Sequence, residues 1–162
     1  MKIRSISYAC IAFFLLLQAC SSTMNSTATV NKRANILGTW QLANIGYEGI
    51  NEVTVKSLFK EQNPKCFIGS TWYLPNNGSG YYLINEGQNC ASIKQNIYWS
   101  ASPAEDTFQF KKIEAGEKPK LVEDGFRLIL SSVTKESMVL RSPVETSAGN
   151  AYIVLNFVKS EK

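Results

Sequence analysis

From about residue 71 onward the chain is cut into short runs of alternating apolar and polar side chains, and this pattern limits its fold more than any other feature. A period of two is the period of a half-buried strand, because successive side chains leave a strand on opposite faces. The clearest runs are 107–112 (TFQFKK), with Phe108 and Phe110 on one face, and 126–130 (FRLIL), with Phe126, Leu128 and Leu130 on one face. In 92–100 (SIKQNIYWS) Ile93, Ile97 and Trp99 share a side, and in 137–141 (SMVLR) Met138 and Leu140 do. Runs 71–74 (TWYL) and 81–85 (YYLIN) flank the turn Pro75-Asn76-Asn77-Gly78-Ser79-Gly80, which is hairpin chemistry. Run 152–158 (YIVLNFV) is apolar on both faces, with Ile153, Leu155 and Phe157 as its expected inward set, and 37–45 (LGTWQLANI) supplies one more strand near the start. That makes eight strands. One segment, 52–62 (EVTVKSLFKEQ), has helical spacing at Val55, Leu58 and Phe59, and Pro64 bars its extension.

Loop lengths indicate how such strands are joined. Loops 46–70, 86–91, 113–125 and 142–151, of 25, 6, 13 and 10 residues, alternate with ones of six residues at 75–80, 101–106 and 131–136. In a meander, alternate loops fall at the same end, so this chain places its long loops at one end and tight turns at the other. Closing the meander removes exposed sheet edges. The expected fold is therefore all-β: an eight-stranded up-and-down antiparallel β-barrel with one short helix between the first two strands.

The amino-terminal residues follow a different grammar. Lys2 and Arg4 precede an apolar run at 10–17 that is too short to span a bilayer, which is the pattern of a secretory signal peptide. Leu17-Gln18-Ala19-Cys20, followed by Ser21, resembles the bacterial lipoprotein lipobox. The resemblance implies cleavage before Cys20 and acylation of that cysteine with two or three chains. Each buried CH₂ contributes about 0.8 kcal/mol, so such an anchor is effectively permanent. Ser21, where an inner-membrane retention signal would place Asp, favours a cell-envelope protein on the outer membrane, facing the periplasm. The expected division is signal peptide 1–19, lipidated flexible tether 20–35 and folded domain 36–162. Of the 17 basic and 13 acidic side chains, Lys2 and Arg4 leave with the signal, so the net charge falls from +4 to +2. No basic stripe interleaved with aromatics is present, which argues against a nucleic-acid partner; a protein partner is left open.

Four cysteines are present: Cys10 leaves with the signal and Cys20 takes the lipid. Cys66 and Cys90 remain, and a pair in an oxidising compartment reads as a disulfide. Both precede strands whose long loops share one end, so a bridge between them is sterically reasonable.

Gly38-Thr39-Trp40 at the start of the first strand resembles the G-x-W motif of the lipocalins. The layout of Cys20, Leu37 to Trp40, Cys66, Trp72 to Gly78 and Cys90 is similar to that of the lipocalin-like lipoproteins of the Bacteroidetes. The resemblance implies a barrel whose floor is packed by Gly38 and Trp40, with a basic residue from a late strand crossing the tryptophan. Arg141 and Lys159 are the late basic residues in or beside strands. It also implies a binding protein rather than an enzyme.

An eight-stranded barrel has an interior wide enough for packed side chains or for one small ligand. The candidate ligand-binding residues are Trp72, Tyr82, Trp99, Phe108, Phe110, Leu128 and Met138. Two functions follow: a lipid-anchored protein holding a small hydrophobic ligand in the barrel, or a filled-core barrel acting as a non-enzymatic partner-binding or accessory envelope lipoprotein. The chain has no histidine, which removes His-based catalysis and His-ligated metal sites. Glu105-Asp106 and Glu123-Asp124 are adjacent pairs beside turns rather than an acid and a base facing each other. No catalytic residue, metal or cofactor is expected, and the Lys- and Glu-rich stretch 114–124 reads as a solvated loop.

Overall fold

The computed structural model describes residues 32–147 and 149–160. The expected signal peptide, Cys20 and most of the tether lie outside the described residues.

In chain order the strands are β1 (Gly38–Glu48), β2 (Ser57–Leu58), β3 (Glu61–Gln62), β4 (Thr71–Leu74), β5 (Ser79–Ile84), β6 (Ile93–Ser102), β7 (Thr107–Ile113), β8 (Phe126–Val133), β9 (Ser137–Val144) and β10 (Ala151–Lys159). Strands β2 and β3 form a separate hairpin, and the other eight close into a barrel. Each barrel strand is antiparallel to its neighbour in sequence, and β1 completes the ring by pairing with β10 on one side and β4 on the other. At the seam Trp40 lies opposite Lys159 and Trp72. This is the expected eight-stranded up-and-down barrel.

The period-two reading also fixed which faces turn inward. Ile97, Trp99, Phe108, Phe110, Leu128 and Leu130 are all at most 3% exposed, as are the inward residues chosen on β9 and β10. Burying a side chain of this size contributes about 1.5–3 kcal/mol, so the alternation itself supplies the force that curls the sheet.

Two stretches differ from expectation. Residues 32–36 form a helical turn rather than a free tether. Ile36 is fully buried, and the Arg33 guanidinium donates to the Ala101 carbonyl at 3.1 Å, so the packed domain starts ahead of residue 36. The short helix in the β1–β4 connection is present but confined to a 3₁₀ turn, Glu52–Thr54, capped by the Asn51 side chain. The rest of 52–62 is the β2–β3 hairpin, followed by a second 3₁₀ turn at Pro64–Phe67. Leu58 and Phe59 were spaced like a helix face, yet they are buried because the hairpin tip dips into the barrel. Tertiary burial outweighs a local period here.

Candidate functional site

The two ends of the barrel are built differently. At the closed end Trp40 is fully buried, and its indole N–H donates to the Ile36 carbonyl at 2.7 Å. The Lys159 ammonium lies 4.1 Å from the ring centroid and donates to the carbonyls of Asn35 and Leu37. A cation held over an indole face is attracted by the ring quadrupole. Burial holds the Lys159 ammonium below the usual lysine range. Of the two late basic residues, then, Lys159 crosses the tryptophan, while Arg141 pairs with Glu48 at 3.2 Å on the outside. Gly38 has a φ of 119°, and a Cβ there would press on the Lys159 side chain at 3.1 Å. The positive φ therefore favours glycine at this end, and a Cβ would also crowd the lysine that caps Trp40.

The open end carries the long connections, and a disulfide joins two of them. Cys66 and Cys90 are bonded, with Cα atoms 5.5 Å apart, tying the β1–β4 connection to the β5–β6 loop. The β2–β3 hairpin lies across the mouth. Its tip residues, Phe59 and Lys60, have φ of 51° and 65°, the left-handed region that ordinary residues seldom enter. The cost is offset by what the tip reaches. The Phe59 ring is 5% exposed and makes edge-on contacts with Phe67, Trp72, Phe110 and Phe126 at centroid distances of 4.9–6.0 Å. Such pairs contribute about 0.5–1.5 kcal/mol each beyond area burial.

Polar contacts hold the hairpin down. The Glu61 carboxylate accepts from the Tyr82 hydroxyl at 2.9 Å and from the Lys112 ammonium. Lys60 reaches Asp124 on the β7–β8 loop at 2.6 Å, and this exposed ion pair holds the Asp124 carboxyl below its usual range. Burial, reinforced by the bond to Glu61, pushes the Tyr82 phenol well above its ordinary value near 10. This has a defined sign. Above pH 10 the unfolded chain loses the Tyr82 proton and the folded protein keeps it, so stability falls as pH rises. The slope contributed is about 1.4 kcal/mol per pH unit. Denaturant unfolding between pH 9 and pH 11.5 should show this decline in the native protein, and a reduced decline in Tyr82→Phe. Parallel curves would mean that the phenol is not protected.

The seven candidate ligand-binding residues form one cluster, and each is at most 2% exposed. Trp72, Tyr82 and Phe110 form its mouth half: Trp72 lies 5.0 Å from Tyr82 and 5.4 Å from Phe110. Trp99 and Phe108 stack at 5.7 Å. Leu128 and Met138 are buried in the same cluster. Sequence reasoning missed Phe59 and Phe67 as the inner cover of this cluster, and Glu61 and Lys112 as its polar latch. Their sequence signals were two apolar pairs in this connection, Leu58-Phe59 and Phe67-Ile68.

The chain matches no family model and none of the curated proteins. Among solved structures it is similar to a deswapped triple mutant of bovine odorant binding protein, at 12% identity over 79% of this chain and 76% of that one, with a TM-score of 0.41.

Proposed function

We propose that the protein is a lipid-anchored, non-enzymatic envelope protein that takes a small apolar ligand at the mouth of its barrel, in the space the Phe59 ring fills when no ligand is bound. One observation carries this reading. The aromatic interior is covered at the mouth by Phe59 on a two-stranded hairpin and Phe67 on the turn after it, not by barrel strands. That hairpin has two residues in each strand and a strained tip, so its own side-chain contacts hold it in place, and an incoming apolar ligand replaces the largest of them, those of the Phe59 ring. Withdrawal would open Trp72, Phe110 and Phe126 to an incoming apolar group, and Tyr82 and Glu61 would supply polar atoms beside it. The lipobox-like residues 17–20 support acylation of Cys20, and Ser21 supports an outer-membrane protein facing the periplasm.

A second reading has its own observation. All seven interior candidates are packed against one another, as in a barrel filled by its own side chains that meets partners at its surface. Titration with phenylnaphthylamine, an uncharged apolar fluorophore, separates the two. Phe59→Ala removes the competing ring, and probe affinity should rise about tenfold, equivalent to about 1.4 kcal/mol. Phe108→Ala deletes a ring of the same size away from the mouth and should leave affinity near that of the native protein. Equal gains in both variants, or none in either, would favour the filled barrel.

A further inference from the structure

Outside the barrel, the β7–β8 loop leans over the outward faces of β6, β7 and β8 and encloses a cleft of about 600 Å³. Its floor includes Tyr98, which is 40% exposed, with Ser100 and Gln109 beside it, and Pro119 forms part of the overhanging wall. Three cationic side chains, Lys111, Lys120 and Arg127, line it against one carboxylate, Glu123. Among the described residues no salt bridge engages Lys120 or Arg127.

The wall is fixed in place. Glu117 bonds back to Glu114 through both backbone and side chain, and the Leu121 amide donates to the Lys118 carbonyl. The Lys111 ammonium holds the Val122 carbonyl, and Asp124 is held by Lys60. On the floor, the Gln109 amide donates to the Ser100 hydroxyl at 2.9 Å. The cleft therefore exists before any ligand arrives, and little ordering entropy opposes binding. Tyr98 and Pro119 also line a second depression of about 330 Å³ with Tyr73 and Tyr81, so the aromatic floor continues past the first cleft.

We infer that this cleft is a binding site for a small anionic amphiphile: a planar or apolar body lying on Tyr98 under Pro119, with a carboxylate, sulfonate or similar anion between Lys120 and Arg127. The aromatic floor supplies stacking area. The surplus of positive charge supplies orientation and selects against neutral and cationic molecules. The stretch 114–124, which reads as a solvated loop in sequence, becomes one wall of a recognition site. The site opens on the outer side of the sheet; it shares Phe110 and Phe126 with the mouth cluster, and its wall is tied to the hairpin tip through Lys60 and Asp124.

The test uses the full-length chain carrying fluorotyrosine, with the Tyr98 fluorine resonance assigned by its loss in Tyr98→Phe. The probes are naphthalene sulfonate and the uncharged naphthalene methanol. The Tyr98 resonance should move saturably with the sulfonate and much less with the alcohol. Combined Lys120→Gln and Arg127→Gln should weaken sulfonate binding about fivefold, with the loss shrinking at high salt. The other tyrosine resonances report that this variant is folded. The Tyr82 resonance, assigned in the same way and lying in the mouth half of the aromatic cluster, should move much less than that of Tyr98. An unmoved Tyr98 resonance, equal response to both probes, undiminished affinity in the double variant, or a larger shift at Tyr82 than at Tyr98 would each overturn the assignment.

Discussion

Trp40→Ala should lower the unfolding free energy by about 3–5 kcal/mol, the range for deleting a fully buried large aromatic. Three losses coincide at this position. The ring is completely enclosed at the point where β1 lies between β4 and β10, so its removal leaves a void at the barrel seam. The Ile36 carbonyl loses the indole donor that holds the amino-terminal turn to the barrel. The Lys159 ammonium, already disfavoured by burial, loses the ring face beneath it. Urea unfolding monitored by far-ultraviolet circular dichroism measures the total. A loss below about 1 kcal/mol would mean that the tryptophan does not support closure. Most of the effect should persist in Trp40→Phe if the N–H and the indole's extra width matter, and much of it should be recovered if only apolar area does.

Cys66→Ser should cost about 3 kcal/mol in oxidising buffer and almost nothing when native protein and variant are compared under reductant. The bridge spans 24 positions, and closing a loop of this length restrains the unfolded chain by about that amount. The folded-state part of the effect is local. Cys66 lies in the 3₁₀ turn that also carries the buried Phe67, so the bond fixes the base of the mouth connection while the hairpin tip depends on noncovalent contacts. Equal destabilisation with and without reductant would assign the loss to packing at Cys66 instead of to the bond.

The barrel was legible in the sequence because the same physical fact recurs along it. Phe108 and Phe110, or Met138 and Leu140, face inward for the simple reason that every second residue of a strand does, and polar partners between them mark the other face. The Cys66–Cys90 bridge was legible because these two cysteines remain as a pair beyond Cys20, and the alternation of loops puts both at one end. The mouth was not legible. A two-residue hairpin turn with both residues at positive φ normally announces itself with Asn-Gly or Asp-Gly, and here Phe59-Lys60 occupies it. What stabilises that turn is the Phe59 ring's contacts with Phe110 and Phe126, roughly fifty and seventy positions away, and no local rule contains them. Residues 32–35 looked like linker because Lys32, Arg33 and Asn35 are polar, yet their anchoring runs through Arg33 to a backbone carbonyl and through the Asn35 carbonyl to Lys159. Sequence periodicity reports side-chain burial and is blind to such contacts.

Hydrogen exchange read by mass spectrometry, with and without saturating phenylnaphthylamine, tests most directly whether Phe59 is a displaceable stopper. Ligand entry at the mouth predicts faster exchange of the amides in 57–62 on binding, with the β1–β10 seam equally protected in both states. Binding that leaves 57–62 unchanged or more protected, or that loosens the seam, would contradict it.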